Sequence, residues 1–162
     1  MTIHSDIPTR TQLVRLLEER SPSSVSIYMP TSRLPQEGHA ESVMLSNLLR
    51  SALEQLHEAE TDGDDIAAIE EGVGHLIEDT EFWKRQADSL AVFATPSRVQ
   101  SFRVPNHLTE MVEVSDRFHL KPLLRAVTFP QAAYLLALAK GSVRLLEVGP
   151  DAPTLSGSWT TH

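Results

Sequence analysis

Cysteine is absent from the 162-residue chain. That excludes disulfide scaffolds, thiolate zinc sites, iron–sulfur clusters and thiol catalysis. Aromatic residues are sparse at 6%, against 41% hydrophobic and 22% charged residues. This composition is globular, neither disordered nor fibrous. No stretch approaches the roughly 18 consecutive apolar residues that span a bilayer, so an integral membrane protein is excluded and no membrane partner is expected. The opening MTIHSDIPTR has no basic start followed by an apolar core. It does not read as a secretory leader, and the expected location is the cytoplasm.

Bases are scarce in one segment. Between Glu37 and Glu81 there are 13 acids and a single base, Arg50. The other residues carry 13 bases against 9 acids, so the formal charge of −8 is strongly asymmetric. A uniformly acidic surface would repel RNA. The asymmetry confines that repulsion to one segment and leaves the rest mildly basic.

The chain begins as a helix. Thr9 or Thr11 suits its N-cap, and Leu13, Val14, Leu16 and Leu17 recur at helical spacing. Ser21-Pro22-Ser23-Ser24 stops it. Val25, Ile27 and Met29 alternate with Ser26 and Tyr28, which predicts a short strand ending at Pro30. After a polar loop, 31–38, a long helix runs from about His39 to Glu60 on Val43, Leu45, Leu48, Leu49, Ala52, Leu53 and Leu56. Thr61-Asp62-Gly63-Asp64 is a turn holding the cap of the next helix, whose apolar face is Ile66, Ile69, Val73, Leu76 and Ile77. Gly72 and Gly74 weaken that helix by about 1 kcal/mol each relative to alanine; they mark either a close crossing or a poor helix. Strands follow at Ser89–Thr95, at Val99, Phe102 and Val104, and at Met111, Val112 and Val114, a β-meander. The expected fold is α+β: a mixed or largely antiparallel sheet with helices, including the long helical hairpin, packed on one face. Ala132–Ala139 and Ser142–Val148 read as a greasy hairpin with Lys140-Gly141 at its tip, and Gly149–His162 as an aperiodic tail. A two-stranded hairpin is marginal alone, so this one needs the preceding domain, another chain, or the rest of a second domain.

Chemistry is thinly represented. Glu71, His75 and Glu78 share a helix face, a divalent-metal ledge or, more simply, a solvated charged face. His107, Asp116 and His119 lack the serine in a strained elbow that a triad requires. Gly72-Val73-Gly74 follows no strand and precedes no Lys-Ser/Thr, so it fails both common nucleotide fingerprints. Trp83 reads as closing the core where helix meets sheet. Arg98, Arg103, Arg117, Lys121 and Arg125 form at most a weak phosphate-binding signal beside Glu110, Glu113 and Asp116. No catalytic residue, metal site, cofactor or small-molecule substrate is evident.

Two segments carry a family resemblance. The first, from Val25, reads VSIYMPTSRLPQEGHAESVMLSNLLR: a strand ending in Tyr-x-Pro-Thr, a polar loop and a helix with Asn47-Leu48-Leu49-Arg50. The second is RFHLKPLLRAV, from Arg117, followed by AYLLALAKGSVRLLEV. They resemble bacterial relatives of the archaeo-eukaryotic peptide-chain release factors, over about 1–150. The resemblance implies an N-terminal α/β domain over 1–126, the opening β-hairpin of an incomplete ribonuclease-H-like domain over 127–149, and a flexible tail over 150–162, as in a piece of a longer protein. Release factors of this kind carry Gly-Gly-Gln for peptidyl-tRNA hydrolysis and Asn-Ile-Lys-Ser for stop-codon reading; neither occurs in this chain. The resemblance therefore implies a non-catalytic, translation-linked domain in contact with ribosome or RNA. Its RNA-contacting candidates are Arg33, Arg50, Arg98 and Arg103. The alternatives are a protein-interaction or oligomerisation module, self-associating through the 132–148 hairpin, and a small hydrolase built on the histidines.

Overall fold

Thr9 decides where the chain first turns helical. A computed structural model describes residues 6–34, 38–128, 133–139, 142–149 and 152–160. In it Thr9 Oγ1 accepts the Gln12 backbone N–H at 3.3 Å, and Gln12 Oε1 accepts the Thr9 N–H at 2.8 Å. This capping box starts α1 (Arg10–Glu18). Strand β1 (Ser24–Pro30) follows, then the two long helices α2 (Gly38–Glu58) and α3 (Gly63–Glu78), the latter capped by Asp62. A one-turn helix α4 (Thr80–Trp83) precedes β2 (Ser89–Thr95), β3 (Arg98–Val104), β4 (Met111–Ser115) and helix α5 (Lys121–Thr128). Three further strands, β5 (Ala133–Ala139), β6 (Ser142–Gly149) and β7 (Ala152–Thr160), form a second sheet in the order β5-β6-β7.

The α+β architecture and the antiparallel sheet are as expected. The first sheet runs β3-β2-β1-β4, with every neighbouring pair antiparallel. It is not a continuous meander. After the β2–β3 hairpin the chain crosses back, and β4 pairs with β1 rather than β3. The cause lies in β1 and β2, which are buried on both faces and so need ladder partners on both sides.

Two cores result. Val25, Ile27 and Met29 of β1 join Leu45, Leu49, Ala52 and Leu56 of α2 and Ile66, Ile69 and Val73 of α3. Tyr28, on the other face, joins Phe93, Phe102, Leu16 of α1 and Leu120, Leu123 and Ala126 around α5. The helical hairpin covers one face as expected, while α1 and α5 cover the other, where the sequence suggested no helical layer. Gly72 marks a close approach: a Cβ there would meet Val99 Cγ2 at 2.7 Å, so the crossing is of α3 on β3. Gly74 faces open space. Trp83 is buried, and its Nε1–H donates to the carbonyls of Leu76 and Ile77 at 3.1 and 3.0 Å, capping the end of α3.

After Gly149 the sequence reads as a tail, yet Ala152–Thr160 pairs antiparallel with β6, with a register irregularity at Leu145/Leu146. An aperiodic, glycine-containing strand leaves no alternation to read. The expected hairpin is present as β5 and β6, with Leu136 opposite Leu145; its expected tip, Lys140-Gly141, lies outside the described residues. Among the described residues no helix is long and apolar enough to cross a membrane.

Candidate functional site

The four candidate arginines do not converge. Arg33 lies in the loop after β1, and its Nε and Nη2 donate to the two carboxylate oxygens of Asp88, each at 2.8 Å. Thr31 ties the same loop down through Oγ1 to the Ala87 carbonyl at 2.9 Å, and the Ser32 N–H donates to the Glu41 carboxylate of α2. Arg50 is exposed on α2, with only Asn47 Oδ1, at 3.5 Å, as a partner among the described residues. Arg98 and Arg103 stand on opposite faces of β3. Arg98 reaches Glu19 at the end of α1, at 3.3 Å. Arg103 lies 4.3 Å over the Phe82 ring and pairs with Asp6. Three of the four are thus spent on fastening a loop, a helix end and the N-terminal segment to the sheet.

The stretch from Phe118 to Leu123 is likewise structural. Phe118 packs 5.2 Å from the ring of Phe93, and the His119 backbone N–H donates to Ser26 Oγ at 2.9 Å. The buried Tyr28 hydroxyl donates to the His119 carbonyl at 2.6 Å, and burial pushes its pKa above the ordinary tyrosine range. At the exposed Asp116, hydrogen bonds from the Arg117 guanidinium at 2.9 Å hold the carboxyl below its ordinary range. Glu71, His75 and Glu78 are all exposed on α3, and no group of three His, Asp or Glu side chains among the described residues could hold a metal ion.

A cavity lies elsewhere. Between the β3–β4 connection and α5 is a groove of about 540 Å³. Its floor includes Leu108, Met111 and Ala126, and its rim His107, Glu110, Lys121 and Arg125. The floor is held in place, since the Leu108 N–H donates to Ser89 Oγ at 2.8 Å. A smaller depression of about 340 Å³ between α2 and the same connection is lined by Val43, Met44 and Asn47 and shares Glu110. Lys121 and Arg125 were visible in the sequence as bases, but their i,i+4 spacing has meaning only on a helix. Pro122 stands in the first turn of that helix, where proline is well tolerated.

No family model matches the sequence, and no curated protein matches it. Among solved structures, a chain described as an archaeal protein aligns with TM-score 0.49 and 14% identity, over 97% of this chain and 46% of its own. An archaeal translation termination factor, aRF1, aligns with TM-score 0.48 and 15% identity, over 96% of this chain and 45% of its own. The chain therefore spans less than half the length of either.

Proposed function

We propose that this chain is a non-catalytic, N-terminal portion of a release-factor-like protein, cytoplasmic and translation-linked, which contacts ribosome or RNA and does not read stop codons. The sequence resemblance supports the family, with residues 1–126 as its first domain and 127–149 opening the second. The observation that carries the functional part is charge segregation. The α2–α3–α4 layer, with its turns, holds 12 of the 13 acids between Glu37 and Glu81 and the one base there, whereas α5 on the opposite face presents Lys121 and Arg125. The turn between α2 and α3 is Ala59-Glu60-Thr61-Asp62, acidic where a stop-codon reader needs cations. An RNA approaching this molecule is repelled by one layer and accepted by the other.

Co-sedimentation of the chain with ribosomes, and binding to single-stranded RNA, test this reading. Affinity should fall steeply between about 50 and about 200 mM salt, as phosphate contacts require. No binding, or binding indifferent to salt, removes it.

A second reading, an oligomerisation module, is favoured by Leu136, which is 55% exposed on β5. A concentration-dependent dimer abolished by Leu136→Glu would support it; a monomer at all concentrations would end it.

A further inference from the structure

We propose that the groove between the β3–β4 connection and α5 binds a nucleoside 5′-phosphate, either free or as one unit of a single-stranded RNA. In the second form it deepens the RNA-contact reading and rests on it. Three observations meet here. The volume, about 540 Å³, falls within the usual range for small-molecule sites. The lining is divided, with an apolar floor of Leu108 and Met111 beneath a rim bearing His107, Lys121 and Arg125. A base needs an apolar surface to lie on, and a phosphate needs cations at its edge.

The third observation is electrostatic. Lys121 and Arg125, like several other surface bases, have no carboxylate partner among the described residues, and they are the two that line the groove. Lys121 and Arg125 are one helical turn apart on α5, where like charges repel. Lys121 also sits in a first turn that carries no acid, at the positive end of the helix dipole. An anion in the groove offsets both costs. Glu110, on the same rim, is the residue placed to accept a hydrogen bond from a base amino group or a ribose hydroxyl. A bare phosphate would gain nothing from the floor and would be repelled by Glu110. The lining therefore fits the whole nucleotide better than its anionic part.

The test uses the full chain with two probes, a mononucleotide (AMP, GMP, CMP and UMP in turn) and a short single-stranded RNA, read by backbone amide NMR shifts and by calorimetry. Shifts should fall on residues 106–111 and 121–126. Lys121→Glu with Arg125→Glu should weaken binding by at least about tenfold, while Lys84→Glu, at the exposed end of α4, leaves it unchanged. Both target residues are exposed, and if the reversed pair fails to fold, Lys121→Gln with Arg125→Gln replaces it. Mononucleotide shifts in the groove without RNA binding sustain the site and remove the RNA-contact reading. RNA binding that survives the double variant overturns the site and leaves that reading standing. No shifts with either probe up to about 1 mM, or equal binding of inorganic phosphate, overturns the nucleotide site.

Discussion

The guanidinium carbon of Arg103 lies 4.3 Å from the centroid of the Phe82 ring. The side chain is only 17% exposed, pairs with Asp6, and donates from Nη2 to the Phe82 carbonyl at 3.4 Å. It thereby joins β3, α4 and the N-terminal segment. Arg103→Ala should lower stability by about 1–3 kcal/mol, the sum of a cation–π contact and a charge-assisted hydrogen bond discounted for the exposure of Asp6. Lysine cannot reproduce the flat stacking, so Arg103→Lys should recover less than half. Urea unfolding at unchanged m-value measures both; a loss below about 0.5 kcal/mol for Arg103→Ala refutes the fastening role.

The two glycines of α3 predict opposite outcomes for one substitution. At Gly74 a Cβ meets nothing within 4 Å, so Gly74→Ala should stabilise by up to about 1 kcal/mol through helix propensity. At Gly72 the same Cβ would stand 2.7 Å from Val99 Cγ2, a branched side chain with little rotamer freedom. Overpacking of about 1–3 kcal/mol should outweigh the propensity gain. In a Val99→Ala background, Gly72→Ala should turn neutral or stabilising. Equal effects of the two alanines in the wild-type chain contradict the close approach.

Glu60 closes α2 with φ at 55°, in the left-handed region. Its N–H donates to the His57 carbonyl at 3.1 Å and that of Thr61 to Leu56 at 3.0 Å, a Schellman ending that favours glycine. Glu60→Gly should raise the melting temperature, by the equivalent of about 1 kcal/mol. Glu60→Ala keeps the strain and should leave it near the starting value. If alanine stabilises as much as glycine, the gain comes from lost charge repulsion and not from the backbone.

Burial raises the pKa of Tyr28, outweighing a smaller opposing effect from a backbone hydrogen bond at Leu123. The folded chain therefore keeps its phenol proton after the unfolded chain has lost it. This contribution to stability is complete below the ordinary tyrosine value of about 10 and is lost as pH rises beyond it, at most about 1.4 kcal/mol per unit. Tyr28→Phe also strands the His119 carbonyl and should cost about 1–2 kcal/mol at neutral pH. The gap between the two proteins should narrow above about pH 10. Parallel curves to pH 12 would disprove the linkage.

Local signals are legible in the sequence and long-range ones are not. The stripe of α2, the Asp62 cap and the apolar run of β2 are periodic or positional, and each appears where its residues predict. The alternation of β1 locates the strand, Ser24–Pro30, but not its depth: Ser24 and Ser26 are buried too, Ser26 as the acceptor of the His119 N–H. Helix α5 was hidden by its brevity and by Pro122. The candidate arginines show the deeper difficulty. Their partners Asp88, Glu19 and Asp6 are 55, 79 and 97 residues away, and no spacing rule reaches that far. The groove was illegible for the same reason: its rim is drawn together from two segments that meet only after folding.

The placement of β1 between β2 and β4 has a consequence for how the molecule forms. Val25 pairs with Ala94, and Tyr28 with both Ala91 and Met111. The α2–α3 hairpin and the β2–β3 hairpin assemble from neighbouring residues, but the central strand must wait for segments made long after it. Such distant pairing slows folding. During synthesis, β1 leaves the ribosome well before its partners, with a Val-Ser-Ile-Tyr-Met run and both edges unpaired. Stalled or truncated chains ending before Ala94 would carry that strand uncovered, and aggregation should begin there.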